Sequence, residues 1–264
     1  YHGIHDYALI RADMKSERST PSSITLGAGI PEEISRDLML MLPYRDKNAY
    51  DLIRKYKDDL ALVVIEPVQS SNPRLDNQEF LDGLREVCTE CEVLLMLDEV
   101  ITGFRIEYGG CQEYYDIKPD LVTYGKAVGG GLPIGVVAGS KHVMNTFSGA
   151  ENTPAIFAGG TFSGNPLTMA SGIGALEYLK DNKEEIYPYL HEQGNRMASE
   201  INEFCRSNNM PVQMMNAGSM MHLIFGGETI ESSRDINRSQ YALENEFYLH
   251  LLGHNVICLL YTSD

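Results

Sequence analysis

Apolar residues along this chain follow two rhythms. In "NQEFLDGLREVCTEC" they recur three and four positions apart, with Phe80, Leu81, Leu84, Val87, Cys88 and Cys91 on one side of a helix, and "AYDLIRKYKDDL" behaves the same way. In "ALVVIEPV", "EVLLMLDEV", "DLVTYG" and "PIGVVAGS" they form unbroken aliphatic and β-branched runs of strand length. Unbroken runs predict strands covered on both faces, and their alternation with helices predicts right-handed crossovers. The expected architecture is α/β, a mostly parallel sheet flanked by helices. Residues 1–50 are the least periodic, and "SERSTPSSITLGAGIP" predicts a long surface loop. Beyond "GGTFSGNPLTMASG" two helical stretches follow, then shorter strand-like pieces such as "MMHLIF". Charge density rises near Lys180, which sets the expected boundary: residues 1–180 in a large domain, residues 181–264 at the start of a smaller α+β C-terminal domain.

Composition narrows the classes of function. The chain has 264 residues, 43% hydrophobic and 22% charged, as in ordinary globular proteins. Its 21 basic against 37 acidic residues give a formal charge of -16, which repels a polyanion and excludes nucleic acid as an expected partner. The longest apolar runs meet charge within a few residues, so no membrane span is expected. Five scattered cysteines argue for a reducing, cytoplasmic setting rather than a disulfide framework. Cys88 and Cys91 form a C-x-x-C, but no second pair completes a metal site, and their helical spacing favours buried thiols.

Ligands of parallel α/β sheets gather beyond the carboxyl ends of the strands, and Glu66, Asp98 and Lys126 all fall there. Lys126 ends an apolar run and is followed by Gly129, Gly130 and Gly131, which let backbone approach a planar molecule. A lysine amine freed of its proton attacks aldehydes; a lysine capping a turn with its head in solvent is the plainer alternative. The order of residues does not fit a phosphate loop, because Ala127 follows the lysine and the glycines come after it. Asp98 directly follows "VLLML", where a carboxylate is costly unless a cation or donors hold it. Pairing with Arg105, or capping of a turn, would also account for it. Thr161 and Ser163 in "GGTFSGNP" suit either a phosphate or the N-terminal cap of the helix that follows. None of the three clues decides alone.

Together, "LDEVITGFR", "PDLVTYGKAVGGGLPIG" and "GGTFSGNPLTMASG" resemble, in order and spacing, the class III pyridoxal-phosphate-dependent aminotransferases, in the branch that includes glutamate-1-semialdehyde aminomutase. The resemblance is strongest from Ala61 to Leu179. It implies the PLP-dependent transferase fold type I, with residues 1–180 as part of the cofactor-binding domain, and pyridoxal 5'-phosphate as cofactor. By the same resemblance Lys126 is the Schiff-base lysine, Asp98 the partner of the pyridine nitrogen, and Val100 the residue packed on one ring face. Tyr1 of "YHG" would stack on the other face, Thr161 would reach the cofactor phosphate of a neighbouring subunit in a homodimer with shared sites, and Glu66 would be a further site residue. The expected activity moves an amino group from a small-molecule amino donor to a carbonyl acceptor.

The family's glycine-rich phosphate cup precedes "YHG" and its closing motifs follow "NVICLLYTSD", so the chain is expected to be a fragment lacking both flanks. "EPVQSSNP" is similar to aminotransferase domains of polyketide and nonribosomal peptide assembly lines, which implies a carrier-bound keto-acyl acceptor, although Ser71 and Asn72 stand where those domains have basic residues. A glutamate-1-semialdehyde 2,1-aminomutase is the alternative within the family. A catalytically silent dimerisation or scaffold domain is the alternative from another class, and it gives no reason to keep Asp98, Val100, Lys126 and Thr161 together.

Overall fold

The computed structural model describes residues 2–149, 154–226, 230–231, 235 and 241–256. The chain divides into two compact units, one of residues 53–197 with 216–221, the other of residues 1–52, 198–215 and 222–264.

A four-stranded sheet organises the first unit. Its strands are β3 (Leu62–Ile65), β4 (Leu94–Glu99), β5 (Leu121–Gly125) and β6 (Gly135–Gly139), in that spatial order. The first three are parallel, and β6 runs antiparallel to β5 along the edge. All four strands lie inside the runs that the sequence marks out. On β4, Leu95 and Leu97 have no exposed surface while Leu94 and Met96 of the opposite face are half-buried; Val64 of β3 is 37% exposed and Val137 of β6 is 51% exposed. Both are outer strands with a single neighbour, so the expectation of cover fails there.

Helix α1 (Asn48–Tyr56) precedes β3 along the chain, and α2 (Gln78–Glu90) joins β3 to β4. Helix α2 buries Leu81, Leu84, Val87 and Cys88, the spacing expected of one face of a helix. Burial pushes the Cys88 thiol up to about 11, which keeps it protonated and inert. The helix ends where Glu92 adopts a left-handed φ of 56°, and Val93 N–H closes on Cys88 O at 2.9 Å before β4 begins. Asp120, just ahead of β5, ties the strand starts together: its Oδ2 accepts from Leu95 N and from Arg85 Nη1, each at 2.8 Å.

Two helices follow the sheet, α5 (Pro166–Asp181) and α6 (Lys183–Ser207), after the short turns α3 (Cys111–Tyr114) and α4 (Lys141–Met144). Asn165 starts α5 by accepting from Leu167 N and Thr168 N, and Pro166 fills the first helical position, where no donor is lost. The same helix fixes the turn after β5. Ser171 Oγ donates to Gly130 O at 2.9 Å, and the helix backbone lies so close that a Cβ on Gly172 would meet Val128 O at 2.7 Å. At Gly130, where φ is 58°, a Cβ would meet Ser171 O at 2.5 Å.

In the second unit, residues 1–50 are not the uniform loop their composition suggests. β1 (Ile10–Ala12) and β2 (Ser23–Thr25) pair antiparallel, and a short π-helical stretch, Ile34–Leu38, follows. These pieces are too brief for periodicity to register. Asn202 of α6 exchanges two hydrogen bonds with Met214, 2.7 and 2.9 Å, and so acts as a short strand against β7 (Val212–Ala217). Among the described residues no helix is long and apolar enough to cross a membrane.

Burial raises the Asp120 carboxyl, but the Leu95 amide and Arg85 outweigh it and leave it below the ordinary carboxylate value. Its contribution is therefore fully present above the unfolded pKa of about 3.9 and is lost as pH falls below that. Thermal unfolding of Asp120→Asn should differ most from the parent near neutral pH, and the gap should close in acid. Gly172→Ala should destabilise by about 1–3 kcal/mol in urea unfolding, because neither backbone can yield. Gly174→Ala, which meets nothing within 4 Å, should be neutral or stabilising by up to about 1 kcal/mol.

Candidate active site

Strand register gathers the candidate residues. Across the parallel pair β4 and β5, Asp98 lies opposite Thr123 and Glu99 opposite Tyr124, while Leu97 lies opposite Ile65 of β3. Glu66, Asp98, Val100 and Lys126 therefore leave neighbouring strands at the same carboxyl edge. This is the edge that the sequence singles out, and the structure brings these four residues to it.

Asp98 is buried, 7% exposed. Its Oδ1 accepts from Val100 N at 3.0 Å and from Thr123 Oγ1 at 3.2 Å. The turn-capping alternative thus holds for one oxygen. Pairing with Arg105 does not: Arg105 Nε donates to Ile101 O at 3.1 Å, and no Arg105–Asp98 ion pair occurs among the described residues. Val100 turns its side chain onto the end of β5, where a Cβ on Gly125 would lie 3.2 Å from Val100 Cγ1. The missing side chain at Gly125 is what lets Val100 and the Lys126 backbone share that edge.

Lys126 opens a 3₁₀ turn, Lys126–Gly129, with φ at 50°. This left-handed conformation is disfavoured for a lysine by about 1–2 kcal/mol. Gly125 before it and Val128 and Gly129 after it are buried, but the Lys126 side chain is exposed and has no ion-pair partner among the described residues. The plainer of the two readings left open by the sequence, a lysine at a turn with its head in solvent, matches this placement. Here only the carboxylate is buried, because the left-handed turn at residue 126 takes the lysine out of the sheet just as β5 ends.

Glu66 is half-buried, and its Oε1 accepts from Ser70 N at 3.2 Å. Thr161 is exposed in the turn ahead of α5, and no hydrogen bond brings it to the strand edge among the described residues. The cap of α5 is Asn165, not Thr161 or Ser163. Tyr1 lies outside the described residues.

Residues around this edge that motif reading does not isolate are Thr123, Glu99, Gln112 and Tyr124. Glu99 has no exposed surface and accepts from Thr102 Oγ1 at 3.0 Å, Cys111 N at 2.6 Å and Gln112 N at 3.0 Å. Burial raises its carboxyl, the two amides and Thr102 oppose that, and Asp98 adds to it. Gln112 Nε2 in turn donates to the Tyr124 hydroxyl, whose pKa burial and then Glu99 push up to about 12. Thr123 carries a faint signal in the sequence, a hydroxyl inside an apolar run. The others need the register and the course of loop 100–112, which no local pattern supplies.

A buried carboxylate and an exposed primary amine at one edge, with glycine backbone between them, form a donor set that fits an aromatic aldehyde carrying a protonatable ring nitrogen. The amine suits the aldehyde and the carboxylate suits the nitrogen.

Comparison with known proteins places the chain in a family. The family model described as aminotransferase class-III matches residues 1–261. A glutamate-1-semialdehyde 2,1-aminomutase of Methanosarcina acetivorans is 39% identical over 231 residues, 86% of this chain and 52% of the relative. One from Methanosphaera stadtmanae is 37% identical over 259 residues, 97% of this chain and 58% of the relative. Among solved structures, an omega-transaminase from Sphaerobacter thermophilus superposes with a TM-score of 0.88 at 30% identity, covering 97% of this chain and 59% of that one. A glutamate-1-semialdehyde aminomutase from Pseudomonas aeruginosa, solved in complex with PMP, shares the fold with a TM-score of 0.78 at 20% identity, covering 97% and 57%. The chain thus spans little more than half the length of the relatives it matches. With its mostly parallel sheet and flanking helices it has the fold type I architecture, and it belongs to the class III aminotransferases.

Proposed function

We propose that this chain is part of a pyridoxal 5'-phosphate-dependent aminotransferase, with residues 1–180 in its cofactor-binding domain and residues 181–264 in its smaller domain. The observation that carries this reading is the convergence of buried Asp98 and exposed Lys126 at the ends of adjacent parallel strands. When bound, the cofactor supplies an aldehyde for amine exchange and a protonated ring that accepts electrons from the substrate carbon. Lys126 Nζ would hold the cofactor through its aldehyde and, when free, would serve as the base and acid that moves a proton during amino transfer. Asp98 holds the proton on the ring nitrogen, with its own orientation set by Val100 N and Thr123 Oγ1. Val100 is assigned to one ring face, Tyr1, which lies outside the described residues, is assigned to the other, and Glu66 is assigned to the same edge.

Thr161 is assigned to the cofactor phosphate of a second subunit. A homodimer is supported by the apolar surface around it: Phe157 is 91% exposed, Phe162 83% and Leu167 70%, more than a solvated face tolerates in one stretch. Charge and cysteine usage support a cytoplasmic location.

Amino donor and acceptor are small molecules in this reading, and the likeness of "EPVQS" to assembly-line domains supports an acceptor presented on a carrier. A second reading, intramolecular amino transfer on glutamate-1-semialdehyde, is favoured by the relatives above 30% identity that bear that name. The full-length protein separates the two. Turnover of glutamate-1-semialdehyde alone, with no second carbonyl, supports the aminomutase; turnover that requires both an amino donor and a separate acceptor supports the transaminase. Cofactor binding without any half-reaction would leave a silent scaffold.

Borohydride reduction of the loaded protein should label Lys126 alone, and labelling of any other lysine would sink the assignment. Lys126→Ala should lower transamination by at least about 10²–10⁴-fold while non-covalent cofactor binding stays measurable by absorbance.

A further inference from the structure

Glu99 is the only fully buried carboxylate among the described residues, and the site chemistry leaves it unused. Successive strand residues point to opposite faces, so Glu99 extends away from the side on which Asp98 lies. There it gathers one hydroxyl and two backbone amides, all from the excursion between β4 and β5: Thr102, Cys111 and Gln112. All three donate to it, and together they satisfy the carboxyl oxygens that burial removes from water. The approach is so close that a Cβ on Gly110, where φ is 75°, would sit 2.3 Å from Glu99 Oε2. Residue 110 is glycine where the carboxylate requires it.

The connection continues across the sheet. Gln112 N–H binds Glu99 Oε1 while its side-chain amide holds the Tyr124 hydroxyl, and Tyr124 is itself the register partner of Glu99. The Tyr124 ring lies against Gly103, where a Cβ would be 2.6 Å from Cδ1, and against Phe104 at 5.3 Å between centroids. Helix α6 pins the outer side of the same excursion through Tyr187 Oη to Phe104 O at 3.2 Å and His191 Nε2 to Ile106 O at 2.9 Å. Asp98 is the residue before Glu99, and Lys126 comes two after Tyr124. A single carboxylate thus fastens both strand ends, beside Asp98 and Val100 on β4 and, through Gln112 and Tyr124, two residues ahead of Lys126 on β5.

We propose that Glu99 is a positioning residue of the amino-transfer site: by drawing in Thr102, Cys111 and Gln112 it fixes Asp98 and Val100 on β4 and, through Gln112 and Tyr124, the end of β5 that presents Lys126. The proposal rests on the reading of Asp98 and Lys126 as cofactor residues. A purely structural Glu99 would change stability and leave the bound cofactor's environment as it was. A positioning Glu99 changes how firmly the cofactor is held and where its visible band lies, in protein that is still folded.

The test uses the full-length protein as wild type, Glu99→Gln and Tyr124→Phe, each titrated with pyridoxal 5'-phosphate well below its melting temperature. Glu99→Gln places an amide nitrogen or an uncharged oxygen against three donors. It should weaken cofactor binding about 10-fold or more and shift the visible band, the effect expected when a supporting residue lets a reacting group drift. Tyr124→Phe removes only the link from Gln112 to β5; it should melt close to wild type, with weaker binding and a band shift in the same direction. If Glu99→Gln does not fold, Tyr124→Phe decides. Wild-type affinity and an unshifted band in the folded variants, whatever their melting temperatures, would overturn the proposal. A wild-type protein that takes up no cofactor at Lys126 would instead overturn the functional reading beneath it, and the two failures are told apart by the wild-type arm.

Discussion

The parallel pairing of β4 with β5 is the constraint on which the remainder of the site depends. Its register sets Asp98 against Thr123 and Glu99 against Tyr124, so two strands distant in sequence end at the same height. A slip of one residue would turn every side chain of β4 to the other face. Asp98 would then trade places with Glu99, and the carboxylate now held by three donors would face the edge where the lysine emerges. Leu95 and Leu97, both without exposed surface, hold the register by filling the core from the same strand.

Much of this was legible in the sequence because hydrophobic runs report burial directly. "VLLML" and "DLVTYG" mark β4 and β5 within a residue or two, and the α2 stripe of Leu81, Leu84, Val87 and Cys88 follows from its spacing. Three things were hidden. Outer strands carry the same aliphatic residues as inner ones, so Val64 and Val137 gave no sign that they would be partly exposed. The direction of β6 depends on the "GGGLPIG" turn rather than on its residues. Brief elements in residues 1–50 fall below the length at which any period is visible.

At the candidate site, Asp98 and Lys126 stood out because each breaks an apolar run with a charge. Their supports did not. Thr123, Gln112 and Tyr124 are ordinary residues whose roles arise only from what lies across the sheet or at the far end of a loop. Glu99 was overshadowed by its neighbour: in "LDEV" two acids stand side by side, and only the alternation of a strand separates the one that faces the candidate site from the one that holds the scaffold. The exposure of Lys126 was one of two readings left open by the sequence, and what decides between them is a single dihedral angle.

That dihedral bears on selection at residue 126. A φ of 50° suits glycine or asparagine better than lysine, so the backbone does not favour the side chain found there. On fold stability alone the position should drift toward a smaller residue. In the proposed function, a lysine at this position is a stability–activity trade-off confined to one peptide unit, with the chain giving up a little conformational ease to aim an amine.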